Sequence, residues 1–194
     1  MKNDIIEEDL DQIHQTIKSK GDWKKATIVI TGCAGFLGYY FLNYFVRRGI
    51  DLGIKKVIAL DNFQFGKPKW LITLESNFSS LLTVISFDIS QDNIKSIEGI
   101  SETRYVIHGA SIASPSFYRK YPIETINSNI WGLKKLLNCF KTNNSLKGFL
   151  FFSSSEIYGD PALDCIPTNE EYRGNVSCHG LRACYDESTR FGET

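Results

Sequence analysis

The sequence has no surplus of either charge: 22 Lys and Arg stand against 22 Asp and Glu in 194 residues. A chain that tracks nucleic-acid phosphates carries a basic excess gathered on one face, so no nucleic-acid partner is expected. Long apolar runs are missing too. Stretches such as Phe149 to Phe152 fall far below the roughly 18 residues of a membrane-spanning helix. The N-terminus is acidic where a signal peptide is basic and then apolar. A cytoplasmic chain without a membrane partner is the expectation. Cysteine is scarce and odd in number: Cys33, Cys139, Cys165, Cys178 and Cys184 form no Cys-x-x-Cys pair. That argues against a disulfide framework and against a metal site. No internal repeat and no low-complexity tract is present.

What remains is an ordinary globular composition, 42% hydrophobic and 23% charged. A chain of this length buries roughly 70% of the surface its unfolded form exposes, enough for one core and hardly enough for two. Residues 1–25 are polar, with Ile5, Ile6, Leu10, Ile13 and Ile17 at helical spacing, which predicts an N-terminal helical extension that packs on the domain or contacts a second copy. From Ala26 the pattern changes. Short β-rich runs at 26–31, 55–60, 82–87, 105–108 and 148–153 alternate with helical segments, the clearest at 36–48 and 123–141. Continuous apolar strands between helices mark a parallel sheet covered on both faces, the doubly wound α/β class. Residues 160–180 lack periodicity and read as an irregular loop at the sheet's carboxyl edge; a last helix is expected from Leu181.

The first strand runs into Thr31-Gly32-Cys33-Ala34-Gly35-Phe36-Leu37-Gly38 and from there into a helix. In a G-x-x-G-x-x-G turn of this kind, Gly32 makes the bend, Gly35 lets the backbone approach a pyrophosphate, and Gly38 allows close helix–strand packing. The helix N-terminus offers unpaired N–H groups to the phosphates. Asp61 closes the second strand 23 positions after Gly38, near the spacing at which a carboxylate accepts from adenosine ribose hydroxyls and repels a 2′-phosphate. NAD is therefore expected over NADP, with capping of the next turn as the alternative role of Asp61. Asp88 ends the third strand, where it could bond an adenine amine or cap a helix that starts near Gln91. His108 lies inside an apolar strand and reads as a core group. Ser153-Ser154-Ser155-Glu156 brings hydroxyls and a carboxylate to the same edge, and Tyr185 stands on the last helix. A Tyr beside a Ser suits proton transfer at an alcohol or ketone.

These motifs resemble the extended short-chain dehydrogenase/reductases that act on nucleotide sugars. The likeness runs over roughly 26–194 and rests on TGCAGFLG, LDNF, HGAS, SSSEIYGDP and EEYRGNVSCHGLRACYDES. The last two most resemble UDP-glucuronate decarboxylases, with dTDP-glucose 4,6-dehydratases and sugar 4-epimerases as relatives. The resemblance implies a Rossmann domain at 26–194, incomplete at its C-terminus, without the lobe that holds the nucleotide-sugar, and with a homodimer possible. It implies NAD contacts from Gly32, Gly35, Phe36, Leu37, Gly38, Asp61, Asn62, Asp88, Ile89, Ala110, Ser111, Tyr185 and Thr189. Tyr185, Ser154 and Glu156 are implied as catalytic, and Ser114, Glu156 and Arg182 as contacts to a UDP-glucuronate-like substrate. Ser155 stands where the dehydratases keep an aspartic acid, which favours the decarboxylase branch. In that branch C4 is oxidised, the C5 carboxylate leaves, and the ketone is re-reduced.

Where the family has Tyr-x-x-x-Lys, this chain reads Tyr185-Asp186-Glu187-Ser188-Thr189. The lysine, one turn from the tyrosine on the same helix face, favours tyrosinate by its charge; a threonine can bond a ribose but brings no charge. Two states are therefore implied: an enzyme of the decarboxylase type, or a homologue that binds NAD without turnover.

Overall fold

A computed structural model describes residues 2–194, with side chains from Ile5 onward. In chain order the elements are α1 Lys2–Ile17, β1 Thr27–Thr31, α2 Phe36–Arg47, α3 Gly49–Leu52, β2 Lys56–Asp61, α4 Lys69–Asn77 and β3 Leu82–Ser86. They continue with β4 Thr103–His108, α5 Pro115–Tyr118, α6 Pro122–Ile126, a π-helical stretch Asn127–Gly132, α7 Leu133–Phe140, β5 Gly148–Phe151 and α8 Ala183–Glu193. The five strands form one sheet in the order β3-β2-β1-β4-β5, and β1 pairs in parallel with both β2 and β4. The chain thus reverses its direction of progress at β1, which opens a crevice beyond the carboxyl ends of β1 and β4.

The chain divides into two compact units. The first comprises 1–87, 95–109 and 143–150. Its centre is the sheet: Ile28, Val29, Val57, Ala59 and Leu60 are wholly shielded from solvent, and Leu42 and Leu71 close on them from the helices. Strands shielded on both faces need unbroken apolar side chains, which is why β1 and β2 read as continuous runs. Extension α1 forms, and its apolar stripe buries only in part. Leu10 is enclosed while Ile5 stays 65% and Ile13 38% exposed. Glu7 bonds both Arg47 and Arg48 at 2.8 Å, and Asp11 bonds Arg48 at 2.6 Å, so the helix lies on its acidic side against the end of α2. The Arg48 guanidinium holds the Glu7 carboxyl below its ordinary range.

In the second unit, 88–94, 110–142 and 151–194, the core is Tyr118, Leu133, Leu136 and Phe140, with Tyr185 stacked on Tyr118 at 5.2 Å between ring centroids. The expected helix 123–141 is present but passes through the π-helical stretch, where Gly132 lies so close to Ile89 that an added Cβ would sit 2.5 Å from its side chain. Several elements differ from expectation, most of them by a residue or two at an end. Strand β5 stops at Phe151, α8 starts at Ala183, and α4 appears where no helix was read. Pro68 at its N-cap presets the entry dihedral, yet only Leu71 and Leu74 bury, too few to show as a period in sequence. Segment 160–180 is irregular apart from a 3₁₀ turn at Leu163–Cys165 and a bridge between Gly159 and Asn175.

His108 is 2% exposed at the end of β4, and its Nδ1 shares a 2.7 Å hydrogen bond with Thr31 Oγ1. Burial pulls its pKa down to about 4. The unfolded chain, with an ordinary value near 6.5, takes up the proton first. The stabilisation is therefore complete above pH 6.5 and drains as pH falls toward 4, to a limit of about 3 kcal/mol. Thermal melts between pH 7.5 and 4.5 are expected to show a steeper acid loss for the wild type than for His108→Gln; parallel curves would refute the assignment.

Candidate functional site

The first unit carries the Gly-rich turn. Gly32 leaves β1 with φ +73°, a left-handed conformation that favours glycine, and its N–H donates to Leu60 O at 2.9 Å. At Gly38 a Cβ would overlap the Cys33 carbonyl group, so the first turn of α2 packs against the loop that precedes it. Gly35 is different. Its backbone is ordinary at φ −79°, and a Cβ would meet only Gly32 O at 3.3 Å, so neither conformation nor internal packing demands glycine there. Apart from Gly32 O, the space beside it is open.

The start of α2 has no side-chain cap and no acidic residue in its first turn. The N–H groups of Phe36, Leu37 and Gly38 precede the first intrahelical bond, Tyr39 N to Gly35 O. An uncapped helix start of this kind is an anion site. Phe36 and Leu37 themselves are 77% and 44% exposed.

Asp61 ties this turn to the end of β2. One carboxylate oxygen accepts from Ala34 N–H at 3.0 Å and the other from Phe63 N–H at 2.9 Å. The second of these bonds is the turn cap considered above. A carboxylate has further lone pairs, so the cap leaves acceptor capacity for a ribose hydroxyl. Asn62, exposed, accepts from Gln64 N–H at 3.1 Å. Cys33 is fully buried within the turn, and burial together with the Asp61 charge pushes its thiol up. The group is a packing residue and stays protonated.

The other expected residues lie in the second unit. Asp88 Oδ1 accepts from both the N–H and the hydroxyl of Ser90, at 2.8 and 2.6 Å, which closes a turn; the helix expected near Gln91 does not form. Ile89 buries its side chain to 6% exposure beside Gly132. Ala110 is half-buried and Ser111 exposed. Ser114 precedes α5 and bonds Ser116 Oγ at 3.1 Å. Ser154 caps the 3₁₀ turn Ser155–Tyr158 by accepting from Glu156 N–H at 3.3 Å. Glu156 forms an ion pair with Arg182, and Arg182 Nε lies 3.6 Å from Asp186 Oδ2. Arg190 turns aside and donates to Ile157 O at 2.9 Å.

Two residues absent from the sequence reading complete this unit. Asn129, in the π-helical stretch, donates to Ser188 Oγ at 2.9 Å and to Thr189 Oγ1 at 3.4 Å, and Ser188 donates in turn to Tyr185 O at 3.2 Å. All three side chains are at most 4% exposed. The position that bears the family's lysine is thus part of a neutral, enclosed amide–hydroxyl cluster. The second residue is Asp186, 7% exposed, whose Oδ1 has no hydrogen-bond partner. Desolvation raises its carboxyl above the ordinary range against the opposing pull of Arg182. An Asn mid-helix was the available signal for the first. Nothing in the local sequence distinguishes Asp186 from Glu187.

A glycine turn with an uncapped helix start, followed by a strand-end aspartate on a 3-2-1-4-5 sheet, is a dinucleotide-binding frame. The sequence profile described as the NAD dependent epimerase/dehydratase family matches residues 28–194. The chain belongs to this family. Among its relatives, UDP-glucuronic acid decarboxylase 1 of Arabidopsis thaliana is 37% identical over 171 residues, covering 88% of this chain and 35% of the relative. UDP-glucuronic acid decarboxylase 1 of Xenopus tropicalis is 32% identical over 190 residues, covering 97% and 41%. Among solved structures, UDP-N-acetylglucosamine 4-epimerase from Methanobrevibacter ruminantium, in complex with UDP-N-acetylmuramic acid, superposes with a TM-score of 0.70 at 26% identity, covering 88% of this chain and 49% of that one. The chain therefore spans less than half the length of these relatives. Among the described residues no helix is long and apolar enough to cross a membrane, and no cluster of His, Cys, Asp or Glu could hold a metal ion.

Asn129→Ala removes the donor shared by two enclosed hydroxyls. Orphaned buried polar groups cost about 1–3 kcal/mol, and a loss of that size in urea unfolding is expected, whereas Ser116→Ala, at an exposed position, should fall within error. Equal effects would mean that the cluster does not hold α8 to the π-helical stretch.

Proposed function

We propose that this chain holds NAD and takes part in nucleotide-sugar modification of the UDP-glucuronate decarboxylase type. The observation that carries the reading is the uncapped start of α2 beside Asp61. The first-turn N–H groups would face the pyrophosphate, and Gly35 would leave room for it. Asp61 would accept from the adenosine ribose hydroxyls, which disfavours a 2′-phosphate at that place. Asp88, Ile89, Ala110 and Ser111 complete the proposed cofactor contacts, with Asn62 beside Asp61. NAD, when bound, supplies a reversible hydride acceptor.

On the second unit, Tyr185 would take the proton of the sugar's C4 hydroxyl. Ser154 would hold the same oxygen by a hydrogen bond once released from its capping role. Arg182 would meet the substrate carboxylate, Glu156 and Ser114 would contact the sugar, and a family-like homodimer is part of the proposal. The relatives named UDP-glucuronic acid decarboxylase support the substrate class, and Ser155 at the dehydratases' acid position agrees with it.

One observation favours a second reading, NAD binding without turnover. The neutral cluster around Thr189 puts no cation at the position one turn C-terminal to Tyr185, where the family's lysine would favour tyrosinate by its charge.

Calorimetric titration of the chain with NAD is expected to saturate, with NADP weaker and Asp61→Ala weaker by about tenfold or more, the equivalent of 1.4 kcal/mol. Absence of saturable NAD binding by a folded wild type would overturn the cofactor assignment. Thr189→Lys within a chain extended to the length of the relatives, assayed for carbon dioxide release from UDP-glucuronate, separates the two readings. A gain of activity supports the decarboxylase branch with an impaired proton acceptor. No gain, with NAD still bound, leaves the non-turnover reading standing and removes the decarboxylase one.

A further inference from the structure

Arg182 sits between two carboxylates and serves them unequally. Its Nη2 edge is engaged by Glu156 from the 3₁₀ turn, whereas its Nε edge stands 3.6 Å from Asp186 Oδ2. That distance makes an ion pair but is too long for a hydrogen bond. The Asp186 side chain is only 10% exposed, and its other oxygen is enclosed with no donor at all. A buried carboxylate in this condition is an acceptor without its donor. The donor that matches it is one turn away: Arg182 and Asp186 are i and i+4 on one helix face, and a guanidinium presents Nε and Nη as a fork to both oxygens of a carboxylate.

We infer that Asp186 is a positioning residue that anchors Arg182, taking the guanidinium in a two-pronged bond whenever Glu156 is released. The arrangement described here is then one of two berths. In the first, Glu156 holds Arg182 and Asp186 is left short of a donor. In the second, Asp186 holds the Nε edge, and both the Glu156 carboxylate and the outer edge of the guanidinium become available. Resting on the reading that Glu156 and Arg182 meet a nucleotide-sugar, the device would let a uronic-acid carboxylate replace Glu156 on Arg182 without the arginine losing its place. The charged and titratable groups around Asp186 are Arg182, Glu156 across the guanidinium, Glu187 beside it and the Cys184 thiol. Arg182 is the cation of that set. The upward displacement of the Asp186 carboxyl, in spite of Arg182, agrees with a guanidinium committed elsewhere.

The test needs no ligand. Carboxyl-carbon NMR titration of the 194-residue chain should show Asp186 titrating above its ordinary range in the wild type. In Glu156→Gln the Asp186 midpoint should fall by about one pH unit or more, as an aspartate gains an arginine to itself, and the Arg182 Nε–H resonance should move with it. In Arg182→Gln the midpoint should rise above the wild-type value. An Asp186 midpoint unmoved in a folded Glu156→Gln overturns the proposal, and so, independently of that variant, does one unmoved in Arg182→Gln. Because NAD binding and the Asp186 midpoint are separate readouts, an unmoved midpoint with NAD bound removes only the anchor, while the expected shifts without NAD binding remove only the functional reading.

Discussion

The Asp61 carboxylate spans a junction on which the rest of the first unit depends. Strand β2 must end where the Gly-rich turn begins, and two backbone donors, Ala34 N–H and Phe63 N–H, converge on one side chain there. Had an apolar residue stood at 61, those donors would be left to water or to strain, and the start of α2 would lose its registration against the sheet. The turn can then do without glycine's freedom at Gly35, whose backbone is ordinary.

Much of this was legible in the sequence. The apolar runs of β1 and β2 declared strands shielded on both faces, and the spacing from Gly38 to Asp61 placed the aspartate at the strand end where it is found. Such features are local: turn chemistry, helix start and strand composition all act within a few residues. The dual engagement of Asp61 was legible only as a choice between ribose and cap. Its two oxygens with spare lone pairs make the two compatible.

What the sequence concealed depends on distant partners. The π-helical stretch shifts the register of a helix without erasing its apolar period, so 123–141 reads as an ordinary helix. Asn129 acquires its role only because Ser188 and Thr189, some 60 residues on, come to face it. Asp186 looks like any acid on a helix until burial removes its water. The apolar stripe of α1 was informative in part: Leu10 buries as the spacing implied, while Glu7 and Asp11 dock the helix as well and Ile5 stays in solvent.

The cluster of Asn129, Ser188 and Thr189 contains an amide and two hydroxyls, and none of these changes its charge over the range in which proteins stay folded. With a lysine at 189, the acid–base behaviour of Tyr185 would be set from one turn away along its own helix. In this chain that neighbour is silent at every pH. The charges near this end of the helix are instead the Arg182 guanidinium with Glu156 and Asp186, a cation already shared between two anions.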